Sequence, residues 1–333
     1  MDQPLVSVII PAYNRAHTVS ETVDSVHQQA YPNIEVIVID DGSSDNTQEV
    51  LRKYGTRIRN IRQENAGQMA ARNRGIQEAQ GEIITFLDSD DLWLPTCVER
   101  HVRILQKAPV EVPCSLVNGW LQFADGRKMT SFQNSHLVSP YEEGLCLNMP
   151  EILATRFVMF CQFIAIRRES LLKAGGFDQD LQYMEDYALP LRLSLLGPWA
   201  FICEPLAIWR QGAADTISVS QRAMKQQRAL RESLLTIRGR YLKAINGRRE
   251  FKASRKLQQR QLHIDQLEIR AIELRSTGSK VLGDLLFQSV RVRQAIFRRS
   301  PLFPKMKVTR LDSLAASRRA SAQATRAEKC ATR

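Results

Sequence analysis

The sequence of 333 residues predicts an α/β protein with a doubly wound, mixed but mostly parallel sheet and flanking helices, extended at its C-terminal end by basic helices. Short apolar runs alternate with segments of helical spacing, which is typical of strands that are buried on both faces and joined by crossover helices. The charge is also divided between two regions. Residues 221–333 contain 28 Lys and Arg against 8 Asp and Glu, whereas residues 1–220 contain 19 basic and 27 acidic residues. This asymmetry indicates a compositional boundary near residue 220.

The alternation of strands and helices is clearest over residues 5–110. Apolar runs predict buried strands at 6–10, 34–39 and 83–87, and a shorter strand is expected at 57–62. The helices predicted between these strands lie at 18–29, 44–54 and 66–79. Thr18 and Glu21 have the spacing of a capping box at the start of the first helix. Ser44 or Asp45 is expected to cap the second.

Beyond residue 110 the predicted elements are less regular. Strands are expected at 115–123, 160–166, 200–202 and 206–209, with one clear helix at 185–196. After about residue 220 the pattern becomes helical, and the segment 281–297 places apolar residues roughly along one face: Val281, Leu282, Leu285, Leu286, Val290 and Ile296 or Phe297. We therefore divide the chain into an α/β domain at 1–219, a basic amphipathic helical extension at 220–310 and a tail at 311–333 whose composition predicts disorder.

Two acidic clusters follow predicted buried strands. Their sequences are Asp40-Asp41-Gly42-Ser43-Ser44-Asp45 and Asp88-Ser89-Asp90-Asp91. Crowded carboxylates are costly unless a positive or hydrogen-bonding group lies between them. Ligands of open α/β sheets bind where strands end, and oxygen-only ligands suit Mg²⁺ or Mn²⁺, which in turn suit nucleotide phosphates. The sequence therefore predicts a metal-dependent enzyme that acts on a nucleotide-activated substrate.

Cysteine usage and hydropathy limit the cellular setting. The six cysteines are scattered without a C-x-x-C pair, which disfavours a zinc knuckle or a disulfide framework and favours a reducing compartment. The start of the chain lacks the basic and apolar regions of a signal peptide, and no apolar stretch approaches the roughly 18 residues of a membrane-spanning helix. We expect a cytoplasmic protein, either free or peripheral on the cytoplasmic face of a membrane.

Five motifs in order resemble those of the family 2 glycosyltransferases, which have the GT-A nucleotide-sugar fold. The motifs are VSVIIPAYNR at 6–15, DDGSSD at 40–45, NAG at 65–67 with ARNRG at 71–75, FLDSDD at 86–91, and GGFD at 175–178 with ED at 185–186. The resemblance covers about residues 5–215 and does not reach the basic C-terminal third. Any one motif would be weak evidence, whereas five in order, each in a suitable predicted element, are strong evidence.

The resemblance implies which residues bind the donor nucleotide. Asp40 would accept a hydrogen bond from the base, and Arg72 would contact the base or the diphosphate. The other donor-binding residues that it implies are Pro11, Ala12, Tyr13, Arg15, Asp41, Asp88, Ser89 and Arg210. The pair Trp209-Arg210, followed by Ser218, resembles a late family element that closes over the diphosphate.

The resemblance also implies the metal and catalytic residues. Asp88 and Asp90 match the D-x-D element of the family, with Asp88 near the ribose and Asp90 as the direct ligand of Mg²⁺ or Mn²⁺. Because they are two residues apart, both can face the same side of an extended segment. Asp186 matches the base that takes the proton of the acceptor hydroxyl, and Glu185 is its neighbour. The cation would stabilise charge on the departing diphosphate, and direct displacement would invert the anomeric centre.

The implied substrates are a nucleoside-diphosphate sugar, with a UDP-sugar favoured, and a hydroxyl of a polysaccharide, an oligosaccharide or a glycolipid. Nucleotidyl transfer on a related fold is a second hypothesis. It is disfavoured because residues 11–15 (PAYNR) do not form a glycine-rich basic phosphate loop. A non-catalytic scaffold that retains the fold is a third hypothesis, and the intact Asp88, Asp90 and Asp186 disfavour it.

The basic C-terminal third leaves three interpretations open. Its helices can simply pack on the protein with a solvated charged face. They can bind an anionic membrane surface, where basic residues are attracted to lipid head groups beside an inserted apolar stripe. Nucleic-acid binding would also suit the charge, but the segment has few aromatic residues for stacking and no recognisable nucleic-acid module.

Overall fold

A computed structural model of the chain describes residues 3–158, 161–181, 183–211, 224–276, 280–299 and 303–311. Within these residues the strands are β1 (Val6–Ala12), β2 (Ile34–Asp40), β3 (Arg59–Arg62), β4 (Ile83–Phe86), β5 (Leu92–Trp93), β6 (Cys114–Phe123), β7 (Lys128–Thr130), β8 (Glu143–Cys146), β9 (Ile164–Arg167), β10 (Trp199–Gln211) and β11 (Val308–Thr309). The α-helices are α1 (Val19–His27), α2 (Thr47–Arg52), α3 (Gln68–Glu78), α4 (Cys97–Lys107), α5 (Ser131–Asn134), α6 (Met149–Thr155), α7 (Arg168–Ala174), α8 (Glu185–Leu193), α9 (Met224–Ala244), α10 (Lys252–Ser276) and α11 (Lys280–Arg299).

The strands form one mixed sheet whose main path runs β11-β8-β10-β6-β9-β4-β1-β2-β3, with β5 paired to β10 and β7 to β6. Strands β3, β2, β1 and β4 pair in parallel, as do β6 and β10. Strands β8 and β9 are antiparallel to both of their neighbours, so the other strands of the main path all point the same way. The predicted mixed, mostly parallel sheet with flanking helices is therefore confirmed.

The first apolar runs of the sequence form the centre of this sheet. Strand β1 is buried along its whole length, as expected for a strand that is covered on both faces. Helix α3 lies so close to it that a Cβ atom at Gly75 would come within 2.3 Å of Ile9 Cγ2. The register of β1 and β2 pairs Ala12 with Asp40, so these two strands end side by side.

The two predicted helix caps differ from the observed ones. Thr18 precedes α1, but its side chain makes no capping hydrogen bond. Glu21 instead forms an ion pair with Arg210 of β10, so the capping-box prediction is wrong because a distant partner holds the glutamate. Helix α2 begins after Asn46, and Asp45 still supports it because its carboxylate accepts a hydrogen bond from the Thr47 N–H at 3.0 Å.

The two short strands predicted at 200–202 and 206–209 are one continuous strand, β10. Its register against β6 shifts on both sides of Pro205. Proline has no N–H to donate to the ladder, so an irregular position in a strand suits it. Because β10 continues beyond Pro205, it reaches the second acidic cluster, where the Arg210 N–H donates to Asp91 Oδ1 at 3.0 Å.

The C-terminal helices pack on the α/β region mainly through α10. The buried Ser254 hydroxyl donates to the Pro150 carbonyl of α6 at 3.0 Å. After α11 the chain returns to the sheet, where the Asn148 side chain bonds the Lys305 carbonyl at 2.8 Å and the Lys307 N–H at 2.7 Å. Strand β11 then pairs with β8, an addition to the sheet that the sequence pattern does not predict.

A buried charged network joins the C-terminal helices to α8. Arg238 of α9 donates to Asp265 Oδ2 of α10 at 2.8 Å and to Gln258 Oε1 at 2.6 Å. The same guanidinium donates to the Ala154 carbonyl and to the Tyr187 hydroxyl, both at 3.2 Å. Asp265 is completely buried, so Arg238 supplies the charge that makes its burial tolerable.

The apolar residues of α11 differ in their burial. Val290 is buried, whereas Leu282 and Leu285 are more than half exposed. The reason is that α11 meets α10 at Gly283, where an added Cβ atom would lie 2.7 Å from the Ala271 carbonyl oxygen. Among the helices that the structure describes, none is long and apolar enough to cross a membrane.

The boundary that we expect between residues 219 and 220 falls in a segment, 212–223, that lies outside the described residues. The tail that we expect to be disordered also lies outside them from residue 312 onward. The division of the chain into three parts therefore stays a prediction.

Replacing Arg238 by Met should lower the free energy of unfolding by about 3 to 5 kcal/mol, because Asp265 would stay buried without its main cation. Urea denaturation followed by circular dichroism would measure this change. Arg249→Met, at an exposed position of the same region, is the matched control and should change the free energy by no more than about 0.5 kcal/mol. Equal effects of the two substitutions would contradict a stabilising role for the buried network.

Candidate active site

The carboxyl ends of β1, β2 and β4 meet at one edge of the sheet, and both acidic clusters lie there. The Leu87 N–H donates to the Ile9 carbonyl at 3.0 Å, which sets the end of β4 beside β1. Strand β5 follows the second cluster directly, and its Leu92 pairs with Ile208 of β10. The end of β10 therefore joins the same edge.

Asp40, at the end of β2, is completely buried and is held by neutral and positive donors. Its carboxylate accepts the Ser43 N–H at 2.9 Å and the Gln48 side-chain amide at 2.6 Å. Arg62 Nε lies 3.7 Å from its second oxygen. These contacts fix the turn that leads from β2 toward α2.

Asp41 is also buried, and it organises the loop before α3. Its carboxylate accepts the Ala66 N–H at 2.9 Å, the Gly67 N–H at 2.8 Å and the Gln63 side-chain amide at 2.7 Å. Backbone N–H groups before a helix are natural partners of a carboxylate. Asp41 thus ties the first acidic cluster to the helix that carries Arg72.

The end of β1 forms one side of the edge. Pro11 and Ala12 are buried, and the Ala12 carbonyl accepts the Asp41 N–H at 2.8 Å. Tyr13 is 47% exposed, so its ring is available to a ligand. Of these three residues, Tyr13 is the one whose side chain is accessible at the surface.

Asn14 turns the chain after β1 in a left-handed conformation with φ 52°, which is uncommon for a residue other than glycine. Its N–H donates to Ser43 Oγ at 2.9 Å, and its side-chain oxygen accepts the Ser44 N–H at 2.8 Å. The next residue, Arg15, donates its N–H to Thr47 Oγ1 at 2.8 Å. These bonds orient the chain so that the Arg15 side chain reaches the second acidic cluster.

Each of the D-x-D carboxylates is paired with an arginine. Arg72 donates to Asp88 Oδ1 at 2.5 Å, and the Gln68 side chain lies 3.2 Å from the same oxygen. Arg15 Nε lies 3.7 Å from Asp90 Oδ2. The two acidic side chains are 22% and 24% exposed, so both can meet a ligand at the surface of the edge.

Asp91 is completely buried behind these two residues. Its burial and the neighbouring charges of Asp88 and Asp90 raise the pKa of Asp91 well above its usual value, which favours the protonated carboxyl. Arg210 donates through Nε to the Asp90 carbonyl and pairs with Glu21 of α1. Arg210 therefore holds the second cluster against α1.

Arg72 lies at the centre of the site and is only 2% exposed. Burial by itself lowers the pKa of Arg72, but the carboxylates of Asp88 and Asp186 outweigh it and raise the pKa above its usual value. The guanidinium also lies 5.3 Å from the centroid of the Phe177 ring. A D-x-D carboxylate and the candidate base are therefore both within electrostatic range of one buried cation.

Asp186 is partly buried in the first turn of α8. Met184, just before this helix, has a left-handed φ of 62°, and strained residues of this kind cluster at functional sites. Tyr187 is buried and donates its hydroxyl to the Leu153 carbonyl, which anchors the start of α8. Glu185 is the first residue of α8, and its side chain lies outside the part of the chain that the structure describes.

A glycine turn positions Phe177 against Arg72. Gly175 and Gly176 have φ of 81° and 65°, a region that favours glycine. The Asn73 side chain of α3 accepts the Phe177 N–H at 2.9 Å and donates to its carbonyl at 2.8 Å. The ring meets Phe86 edge to face at a centroid distance of 5.1 Å.

Across the described ranges, no three His, Cys, Asp or Glu side chains converge to hold a metal ion by themselves. Asp88 and Asp90 nevertheless supply two accessible carboxylates, two residues apart, at the surface of the edge. This oxygen-only set fits Mg²⁺ or Mn²⁺, which proteins often bind through one or two carboxylates while substrate phosphates complete the coordination.

The structure brings many of the predicted site residues together at this edge. Those that share ion pairs or hydrogen bonds around the second cluster are Arg15, Arg72, Asp88, Asp90 and Arg210. Asp40, Asp41 and Ser89 are buried beside them. Ser218, which we expect to accompany Arg210, lies outside the described residues.

Sequence reasoning missed the supporting roles of Glu21, Asn14 and Asp91. Glu21 and Arg210 are 189 residues apart, so no local pattern could pair them. For Asn14 the one signal in the sequence was weak, namely that asparagine tolerates a positive φ better than most residues do. For Asp91 a signal existed, because three carboxylates within four residues cannot all remain charged at low cost.

The fold is similar to solved glycosyltransferase structures. S. aureus TarS, residues 1–349 in complex with UDP-GlcNAc, matches with a TM-score of 0.63 at 17% identity, over 86% of this chain and 79% of that chain. The mannosyltransferase PcManGT from Pyrobaculum calidifontis, in complex with GDP-Man and Mn²⁺, matches with a TM-score of 0.58 at 19% identity, over 91% of this chain and 83% of that chain. At these identities the likeness shows a shared fold.

Sequence relatives show the family. An uncharacterized glycosyltransferase of Rickettsia typhi is 31% identical over 231 residues, which cover 68% of this chain and 70% of that protein. The Escherichia coli protein WfgD, a UDP-Glc:α-D-GlcNAc-diphosphoundecaprenol β-1,3-glucosyltransferase, is 44% identical over 109 residues, 32% of this chain and 43% of WfgD. The sequence model of Glycosyl transferase family 2 matches residues 7–174. The chain therefore belongs to glycosyl transferase family 2 and is a glycosyltransferase.

Proposed function

We propose that this enzyme transfers a sugar from a nucleoside-diphosphate donor, with a UDP-sugar favoured, to a hydroxyl of a polysaccharide, an oligosaccharide or a glycolipid. The transfer would be assisted by Mg²⁺ or Mn²⁺ and would invert the anomeric centre. The observation that carries the proposal is the meeting of both acidic clusters at the carboxyl edge of the sheet, where Arg72 contacts Asp88 at 2.5 Å. The charge of Asp186 also helps to raise the pKa of Arg72, which supports a place for the proposed base near the proposed donor residues.

The similar proteins support these substrate classes. The TarS structure contains UDP-GlcNAc, and the name of WfgD describes a UDP-Glc donor and a diphosphoundecaprenol-linked acceptor. The PcManGT structure contains GDP-Man with Mn²⁺, which supports a divalent cation and makes GDP-sugars the donors to test against UDP-sugars.

The residues of the second cluster would act on the donor diphosphate. Asp90, with Asp88, would hold the cation, and Arg15 and Arg72 already point toward these carboxylates through their ion pairs. A bound divalent cation stabilises the negative charge that develops on the departing nucleoside diphosphate. The two guanidinium groups can add bidentate hydrogen bonds to phosphate oxygens.

Asp186 would act on the acceptor. As the acceptor oxygen attacks the anomeric carbon, Asp186 would take the hydroxyl proton, and the bond from that carbon to the diphosphate oxygen would break. Attack from the face opposite to the leaving group inverts the anomeric centre. Met184 and Tyr187 fix the first turn of α8, so they would orient the Asp186 carboxylate toward the reacting hydroxyl.

Replacing Asp186 by Asn should lower the rate of transfer by about 10² to 10⁴-fold while donor affinity stays nearly unchanged, because only proton removal is lost. Release of nucleoside diphosphate in the presence of an acceptor measures the rate, and titration of the nucleoside diphosphate measures affinity. Asp180→Asn is the matched control, since Asp180 is exposed and pairs with Arg240. A near-normal rate in Asp186→Asn would remove Asp186 from the base role.

Chelation with EDTA should lower the release of nucleoside diphosphate by about tenfold or more, and added Mn²⁺ or Mg²⁺ should restore it. Asp90→Asn should raise the cation concentration that gives the half-maximal rate, because a carboxylate ligand is lost. Asp125→Asn, in an exposed turn, is the control.

Two outcomes of this experiment would count against the proposal. Full activity in EDTA would contradict cation assistance. Release of inorganic pyrophosphate instead of nucleoside diphosphate would favour nucleotidyl transfer, the alternative on a related fold.

We also propose that α11 docks on an anionic membrane surface. Leu282, Leu285 and Val292 are large apolar residues of this helix that are 57% to 58% exposed, and Arg291 and Arg298 are exposed on the same helix. Apolar side chains can enter the interface of a bilayer while neighbouring basic side chains attract its lipid head groups.

Replacing both Leu282 and Leu285 by Ser should weaken cosedimentation with phosphatidylglycerol vesicles by about tenfold or more, because two inserted side chains are lost. Binding of the unaltered protein should also fall as salt is added. The matched control replaces Val110 and Leu172, which are exposed far from α11 in the sequence, by Ser. If both double variants bind vesicles equally, the docking proposal fails.

A further inference from the structure

Two adjoining cavities lie between the C-terminal helices and the α/β region, beside the contacts that join them. The inner cavity has a volume of about 240 Å³ and the outer cavity about 800 Å³. Gln294, Arg298 and Phe303 line both, so the two form one cleft. We call it the arginine cleft because its walls carry Arg156, Arg231, Arg238, Arg291 and Arg298.

Two arginines of the inner wall are already neutralised by buried carboxylates. Arg231 Nε lies 2.7 Å from Glu268 Oε2. Arg238 Nε lies 2.8 Å from Asp265 Oδ2. Because each of these two arginines has a carboxylate partner within the protein, neither needs a bound anion to balance its charge.

Arg156 and Arg298 differ from these two arginines in the partners of their side chains. Arg156 donates through Nη1 to the backbone carbonyls of Ser135 and His136, at 3.2 and 2.9 Å, and through Nη2 to the Pro304 carbonyl. Its guanidinium lies 4.0 Å from the centroid of the Phe303 ring. With respect to the described residues, neither Arg156 nor Arg298 forms an ion pair with a carboxylate. The cleft therefore contains two positive charges that no described acidic side chain balances.

These two charges are close enough to affect each other. Burial lowers the pKa of Arg156 to about 10, and the positive charge of Arg298 contributes to this decrease. Arg156 thus remains charged at neutral pH beside a second cation. An anion bound between like charges relieves their repulsion, and guanidinium groups bind phosphate oxygens in a bidentate manner.

The arginine cleft begins next to the candidate base. Met184 and Tyr187 line its inner cavity, and these two residues flank Asp186 at the start of α8. At the outer end, His136 has a left-handed φ of 50°, and its carbonyl is one of those that position Arg156. A ligand in the cleft would therefore extend away from the place where the acceptor hydroxyl must lie.

We propose that the arginine cleft binds the phosphate or diphosphate group of the acceptor, with Arg156 and Arg298 as its ligands. This inference rests on the proposed glycosyl transfer, because it assigns the phosphate to the acceptor whose hydroxyl faces Asp186. The acceptor is then a saccharide that carries a phosphate or a diphosphate, and the cleft is a specificity site separate from the donor diphosphate at Asp88 and Asp90.

Titration calorimetry with inorganic pyrophosphate on the full chain, with excess uridine diphosphate present to fill the donor site, tests the inference. Arg298→Glu should weaken pyrophosphate binding by about tenfold or more, because one charge-assisted contact is lost and a repulsive charge is added. Arg156→Lys, which keeps the charge but loses the bidentate geometry, should weaken it less. Arg249→Glu, an exposed arginine outside the cleft, is the matched control and should bind like the unaltered chain.

Equal pyrophosphate affinity in Arg298→Glu and Arg249→Glu would overturn the inference. It would also be overturned if Arg298→Glu left pyrophosphate binding intact and weakened only the binding to phosphatidylglycerol vesicles, since Arg298 would then serve the membrane surface proposed for α11 and not the cleft. The titration needs no turnover, so it separates this inference from the proposed function. Absence of nucleoside-diphosphate release from every donor would reject glycosyl transfer, whereas pyrophosphate binding would still report on the cleft.

Discussion

The balance of charge at the carboxyl edge of the sheet is the constraint on which the candidate site depends. Strand ends bring five aspartates there: Asp40, Asp41, Asp88, Asp90 and Asp91. Their repulsion would oppose folding if it were not compensated. Backbone N–H and amide donors hold the first two, arginines pair with the next two, and burial favours the protonated form of the last. The fold thus concentrates negative charge while keeping two carboxylates accessible, which is the arrangement that a cation with substrate phosphates would complete.

Arg72 connects the two halves of this arrangement. It is buried between Asp88 and the Phe177 ring. The charge of Asp186, which comes from another part of the chain, contributes to the raised pKa of Arg72. The helix that carries Asp186 is in turn held from the C-terminal side, because the Tyr187 hydroxyl contacts Arg238 of α9. The C-terminal helices therefore help to hold the start of the helix that carries Asp186, the proposed base, and the arginine cleft lies along that same contact.

Much of the fold and part of the site could be predicted from the sequence, because the relevant signals are local. Continuous apolar runs mark β1, β2 and β4, and the acidic residues that follow them are adjacent in the chain. The pairing of Glu21 with Arg210 could not be predicted, and it replaced the expected capping box. There a distant partner outweighed a local preference. For α11 the apolar pattern does not show which residues are buried, because the contact at Gly283 decides that.

The sequence by itself determined the class of fold, the family and the order of the motifs. These features depend on short runs of consecutive residues, such as the apolar runs of buried strands, the turns and the acidic clusters. Only the tertiary structure decided that Asp186 lies within reach of the charge on Arg72, that α9 and α10 bury an arginine–aspartate pair against α8, and that two arginines remain without acidic partners among the described residues of the cleft. Those features join residues far apart in the chain. Their energies depend on burial and on distances between side chains, which spacing along a sequence does not specify.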